Sequence, residues 1–156
     1  MASQVFMQNF AGFKIAPVTS GTPGTYVDFT DHVQSITINR NFEELEVTAM
    51  QSLGRQYVSG LEVSTIALDL LNDDQTSSIM QTLNSLVGTN AAFKIVQTTV
   101  AGTPSTATIS ATNPLYTGLV LVNKITPIAG KVGDIAMQSL TFTVSGAITV
   151  ATTGTW

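Results

Sequence analysis

Glu43, Glu44 and Glu46 are the densest group of ionisable side chains in the 156-residue sequence. Paired carboxylates can serve glycoside hydrolysis as acid and base. None of the aromatic platform of a sugar site accompanies them, so solvation or ion pairing with another subunit accounts for them. His32 is the only histidine. It has Asp28 and Asp31 as sequence neighbours, but a nucleophilic triad needs it held between a serine and an acid. Adjacent residues on a strand point to opposite sides, so Asp31–His32 reads as a polar corner, and the sequence has no G-x-S-x-G elbow. Asp73 and Asp74 offer the hard oxygens that a divalent cation takes, yet carboxylates also belong at the positive end of a helix. "SGTPGT" (Ser20–Thr25) is glycine-rich without the spacing of a phosphate-binding loop, and its Gly and Pro suit a turn. There is no Cys, which excludes disulfides, thiolate metal sites and Cys nucleophiles. No catalytic, cofactor-binding or metal-ligating residue is assigned, and the chain is not expected to be an enzyme.

Composition points away from chemistry and towards a surface. Hydrophobic residues make up 44% and charged residues only 10%, against about 25% in an average domain. Hydroxyls stand in their place, with 24 Thr and 13 Ser. So few charges leave a free surface prone to self-association; either the hydroxyls keep a Thr-rich β-protein soluble, or, the favoured reading, much of the surface is buried against other copies of the chain. The net charge is −4 and the pI about 4.6. Lys14, Arg40, Arg55, Lys94, Lys124 and Lys131 are scattered, whereas a nucleic-acid groove needs clustered cations. "MASQVFMQNF" lacks a basic region followed by a long apolar run, so no signal peptide is expected. No apolar stretch approaches the roughly 18 residues of a membrane-spanning helix.

The length allows one domain, residues 1–156. Residues 1–12 read as an apolar arm carrying Val5, Phe6, Met7 and Phe10. Phe13–Val18 reads as a strand that turns through Thr19–Gly24 and returns over Thr25–Phe29 as a hairpin. Val33–Arg40 alternates, with Ile36 and Ile38 on one face. After an insertion at Asn41–Ser59, which holds a β-like piece at Leu45–Ala49, Gly60–Leu71 reads as one long strand. Its Ile66, Leu68 and Leu70 share a face. Over Asn72–Gly88 the period changes, and Ile79, Met80, Leu83, Leu86 and Val87 make one helical stripe. Asn72 or Asp73 caps its start and Gly88 stops it. Ala91–Val100 is a further strand, 101–114 a loop or ragged hairpin, and Leu115–Ile128 a strand apolar on both faces and so central. Asp134–Ser145 alternates, with Ala136, Leu140, Phe142 and Val144 inward and Gln138, Ser139, Thr141 and Thr143 largely outward. Gly146 breaks it, leaving Ala147–Trp156 as a last strand or tail. The sum is mainly antiparallel β with one flanking helix.

The insertion is too apolar for a free loop. Phe42, Leu45, Val47, Met50, Leu53, Tyr57 and Val58 fit neither water nor disorder, and an excursion that cannot reach its own core should dock on another subunit. The arm and the Trp156 tail invite the same reading.

At these residues the chain resembles the tail tube proteins (major tail proteins) of tailed bacteriophages, most of all those of long non-contractile, siphovirus-type tails. The pattern is carried by "FTDHVQSITINRNFEELEVTAMQSLGRQYVSGLEVSTIALDL" (Phe29–Leu70), "NPLYTGLVLV" (Asn113–Val122) and "SLTFTVSGAITVAT" (Ser139–Thr152). It spans nearly the whole chain from about Phe13, and the order of features carries it. The resemblance implies a barrel-forming β-sandwich flanked by a helix. Six copies would form a ring, and stacked rings would conduct genomic DNA into the host cell. Residues 41–59 would be the inter-ring loop, with Phe42, Glu43, Glu44, Glu46, Arg55 and Tyr57 contacting the next ring. Val5, Phe6 and Phe10 of the arm, with Trp156, would lock neighbours. Asp69 and Asp134 are expected on a lumen wall that does not grip phosphate. The implied partners are the chain itself, the tail tip or baseplate, the tail terminator and a tape measure protein in the lumen. Double-stranded DNA would pass without specific binding. The implied location is the virion, after assembly in the host cytoplasm. The alternatives are the tube protein of a contractile injection or type VI-like secretion apparatus, and a monomeric adhesion or decoration domain.

Overall fold

The computed structural model describes residues 11–73, 79–100, 102 and 104–156. The expected arm residues Val5, Phe6 and Phe10, and Asp74 at the expected helix start, lie outside them. Among the described residues ten strands run in the order β1 (Gly12–Thr19), β2 (Thr22–Pro23), β3 (Val27–Asp28), β4 (Val33–Asn39), β5 (Phe42–Glu46), β6 (Tyr57–Glu62), β7 (Thr65–Leu71), β8 (Asn90–Val96), β9 (Leu115–Leu121) and β10 (Met137–Ala151). One α-helix, α1 (Ile79–Leu86), lies between β7 and β8. The pairings are antiparallel. Mainly β with a single α-helix among the described residues is therefore the observed class, as the alternation predicts.

Eight strands form one sheet in the order β2-β1-β8-β9-β10-β7-β4, with β3 also on β1. β5 and β6 form a separate two-stranded sheet. The turn after β1 has the shape of a tight hairpin. Ser20 and Gly21 both take positive φ, 51° and 79°, between the paired Thr19 and Thr22, which matches the strand twist.

The large sheet folds over on itself. β4 and β8 are four strands apart, about 19 Å in a flat sheet. Yet Ile36 and Ile38 of β4 line one cleft with Ile95 of β8 and Tyr116 of β9. The bend is built into β10, whose first half pairs β7 and whose second half pairs β9, with a register shift between Ser145 and Thr149. Strands that switch layers through a bulge make such corners. Gly146 sits at the bend with φ 92°, so it turns β10 rather than ending it. The strand expected to stop at Ser145 runs on to Ala151.

Between the layers lies one core containing Phe13, Phe29, Phe93 and Phe142, into which α1 inserts Ile79, Leu83 and Leu86. Met80 is half-buried and Val87 exposed, so the stripe is narrower than its sequence spacing. Gly88, at φ 80°, follows the helix and donates its amide to Val122 O. β9 lies between β8 and β10, the central place its apolar run requires.

Four further boundaries differ from expectation. Gly60–Leu71 is two strands, because the chain leaves the ladder at Val63–Ser64, where Ser64 O accepts Val144 N. The strand inside the insertion is Phe42–Glu46 rather than Leu45–Ala49. β9 ends at Leu121, and Val122 N turns to Thr89 O, so residues to Ile128 are not strand. β10 begins at Met137. Ala136 is exposed, whereas Gln138 is buried beside Leu140 and Phe142. Its amide is satisfied by Thr126 N and Met80 Sδ, which is how a polar residue keeps an inward position.

Candidate assembly surface

The β5–β6 hairpin leaves the main sheet from the ends of β4 and β7. Its root is clamped. Arg40 Nε and Nη2 donate to the two carboxylate oxygens of Glu62 at 3.0 and 3.2 Å. Ser64 Oγ donates to the same carboxylate, and Arg40 Nη2 reaches Ile148 O. The Arg40 hydrogen bonds, with Ser64, hold the Glu62 carboxyl below its ordinary range and raise the Arg40 guanidinium. Gly60 is required here, because a Cβ would sit 2.9 Å from Glu43 Cβ.

Beyond the root almost nothing covers the hairpin. Every residue of β5 is exposed. Leu45 pairs with Val58, and Glu46 with Tyr57, so one face is aliphatic and the other mixes aromatic and acidic groups. Phe42, Glu43, Glu44 and Tyr57 line a single shallow concavity. Glu46 lies next along the strand, and its carboxylate accepts Thr48 Oγ1. Arg55 sits apart in the connecting turn. That turn is formed, not loose: Val47 N donates to Gln56 O, Gln56 N to Thr48 Oγ1 and Ser52 N to Ala49 O. It presents Met50 and Leu53 fully to solvent. Exposed Leu61 and Val63 extend the apolar surface beyond the residues first singled out.

A second exposed apolar patch was not legible. Ile128, Val132, Ile135 and Met137 are exposed on and beside the irregular segment 122–136. The expectation of a strand through Ile128 hid them.

The outward face of β4, β7 and β10 is a lattice of hydroxyls. Ser35, Asp69 and Ser139 lie in register, as do Thr37, Ala67 and Thr141, and Asn39, Thr65 and Thr143. Asp69 carries the single charge of these nine residues, and its carboxylate accepts Ser139 Oγ. Asp134 lies elsewhere, in a turn where its carboxylate is 3.8 Å from Lys131 Nζ. It does not share this face.

The C-terminal tail folds back onto its own subunit. Trp156 Nε1 donates to Ser105 Oγ, Lys94 Nζ donates to Thr155 O, and Lys14 Nζ lies 4.4 Å from the centre of the indole. Ser105 and Thr30 each donate a backbone and a hydroxyl hydrogen to Asp28. Burial opposes the charge on Asp28, but these hydrogen bonds outweigh it and hold its carboxyl below the ordinary range. Asp28 is thus a structural tie. His32 lies 2.7 Å from Asp31 and 3.7 Å from Asp73.

No cluster of three or more His, Cys, Asp or Glu fit for a metal occurs among the described residues. No described helix is long and apolar enough to cross a membrane.

Among solved structures, the fold is similar to that of a chain from the virion of a native gene transfer agent (GTA) particle. The TM-score is 0.62 at 15% identity, covering 89% of this chain and 95% of that one. At that identity the likeness establishes a shared fold. No protein-family model and no curated protein matches the sequence.

Proposed function

We propose that this chain is a virion structural protein, the subunit of a phage-type tail tube, with no catalytic role. The observation that carries the reading is the clamped hairpin holding Phe42, Leu45, Val47, Met50, Leu53 and Tyr57 in solvent. An ordered apolar projection of this kind marks a protein interface. A fold shared with a virion chain supports placing that interface in a particle, and favours the virion tube over a secretion tube. In this reading hexameric rings stack through residues 41–59, and DNA passes through the bore. The hydroxyl face around Asp69 suits the wall, because it offers phosphate no cation to rest on. Tail tip or baseplate, terminator and tape measure proteins complete the set of partners.

Negative-stain electron microscopy of concentrated protein tests this. Rings or hollow tubes of uniform width are expected. Single particles at every concentration, with and without a tail tip complex as initiator, would reject the tube reading in favour of a monomeric decoration domain.

A further inference from the structure

We propose that a cleft at the opposite end of the β4–β7–β10 layer receives the hairpin tip of a second copy of this chain. The proposal rests on the tube reading and names the surface which that reading leaves open. The cleft lies between Leu71 at the end of β7, Met80 of α1, and Ile128 and Ile135 of the 122–136 segment, with His32 and Asp73 at its rim. Its volume is about 620 Å³, room enough for two medium side chains.

Three observations select the hairpin tip as occupant. The first is position. The hairpin root meets β7 at Thr65, and the cleft begins at Leu71, so root and cleft lie about 20 Å apart at opposite ends of one strand. Two different patches on opposite ends form a head-to-tail contact, which propagates instead of closing as a pair. The second is chemistry. The tip offers Met50 and Leu53, and the cleft offers Ile128 and Ile135, four side chains that are each largely or wholly exposed. The third is charge. Arg55 is the only charged residue of the turn between β5 and β6, and Asp73 lines the cleft beside His32, with Asp31 2.7 Å from that His32 ring. A cation beside the apolar tip therefore meets anions beside the apolar cleft. The turn's own hydrogen bonds hold its shape before docking, which lowers the ordering cost of binding.

The chain has no Cys, so introduced thiols are the only ones present. Under mild oxidation Leu53→Cys mixed with Ile128→Cys should give a covalent dimer, and the double variant a ladder of oligomers. Each single variant alone should stay monomeric on a non-reducing gel. Self-linking of Leu53→Cys, or tubes in the microscope without the mixed cross-link, would overturn the cleft and leave the tube reading standing. Failure of the unmodified chain to assemble, together with no cross-link, would overturn both. Ile128→Glu gives an independent reading. It should fold normally, because Ile128 is 92% exposed, and should raise the concentration needed for assembly about tenfold or more. Assembly of Ile128→Glu at the unmodified concentration would also overturn the cleft.

Discussion

The Asp28 carboxylate takes hydrogen bonds from Thr30 and Ser105, and Ser105 in turn holds the indole of Trp156. Its folded pKa is depressed, so its stabilisation is complete above the unfolded value of about 4 and is lost as pH falls below it. Glu62 is depressed as well and adds the same sign. The melting temperature should therefore hold near neutrality and fall in acid below about pH 4. Asp28→Asn should flatten that fall and cost about 1–3 kcal/mol at pH 7, read by thermal melts at several pH values. Trp156 is the only tryptophan, so its emission reports the tail alone. A Cβ at Gly12 would overlap Thr99 and the indole, and Gly12→Ala should release the tail and shift emission to the red. None of this tie was legible in the sequence. Thr30 is a local partner of Asp28, but Ser105, which joins it to the tail, lies 77 residues away. Gln138 was misplaced for a similar reason, since its acceptors and donors lie on α1 and on the segment after β9.

Elements were legible where one face meets the core and the other meets water. β4, β7 and the first half of β10 alternate in sequence as they do in burial, and the helical stripe marks α1. Breaks between strands were read less well. In Gly60–Leu71 the apolar positions shift phase, from Leu61 and Val63 to Ile66, Leu68 and Leu70, across Ser64–Thr65, and there the chain changes sheets as Ser64 O accepts Val144 N. At Gly146 the reverse holds: a residue that reads as a stop is the pivot of the longest strand. The hairpin root is the element with a clear test. Arg40 and Glu62 close it on the exposed side, and both belong to strand ends that must diverge there. Arg40→Ala should leave the melting temperature close to the parent's while limited proteolysis at 47–56 speeds several-fold. An unchanged cleavage rate would mean that the β5–β6 pairing alone holds the hairpin in place.

At the scale of the molecule, low charge and an apolar insertion in the sequence give the expectation that much of the surface is meant for other copies. The structure shows where apolar side chains stand in solvent: a projecting hairpin at one end and a second patch at the other, with a hydroxyl face between. The patch was missed because it lies in irregular chain, where periodicity carries no signal. Glu44→Lys and Arg55→Glu change exposed residues, so each monomer should keep its stability to within about 0.5 kcal/mol. Each should lose stacking into tubes, as seen by negative stain and sedimentation. A variant that still builds tubes would remove that residue from the ring-to-ring contact.

Met50 stands wholly in solvent at the tip of the hairpin, with a consequence for the chemical ageing of the free subunit. Thioethers oxidise to sulfoxides, which turns an apolar side chain into a polar one. A pool of unassembled chains exposed to peroxide would gather polar tips, while chains already joined through that tip would be shielded. In the proposed tube, the oxidation state of Met50 would then record which copies had waited and which had been built in.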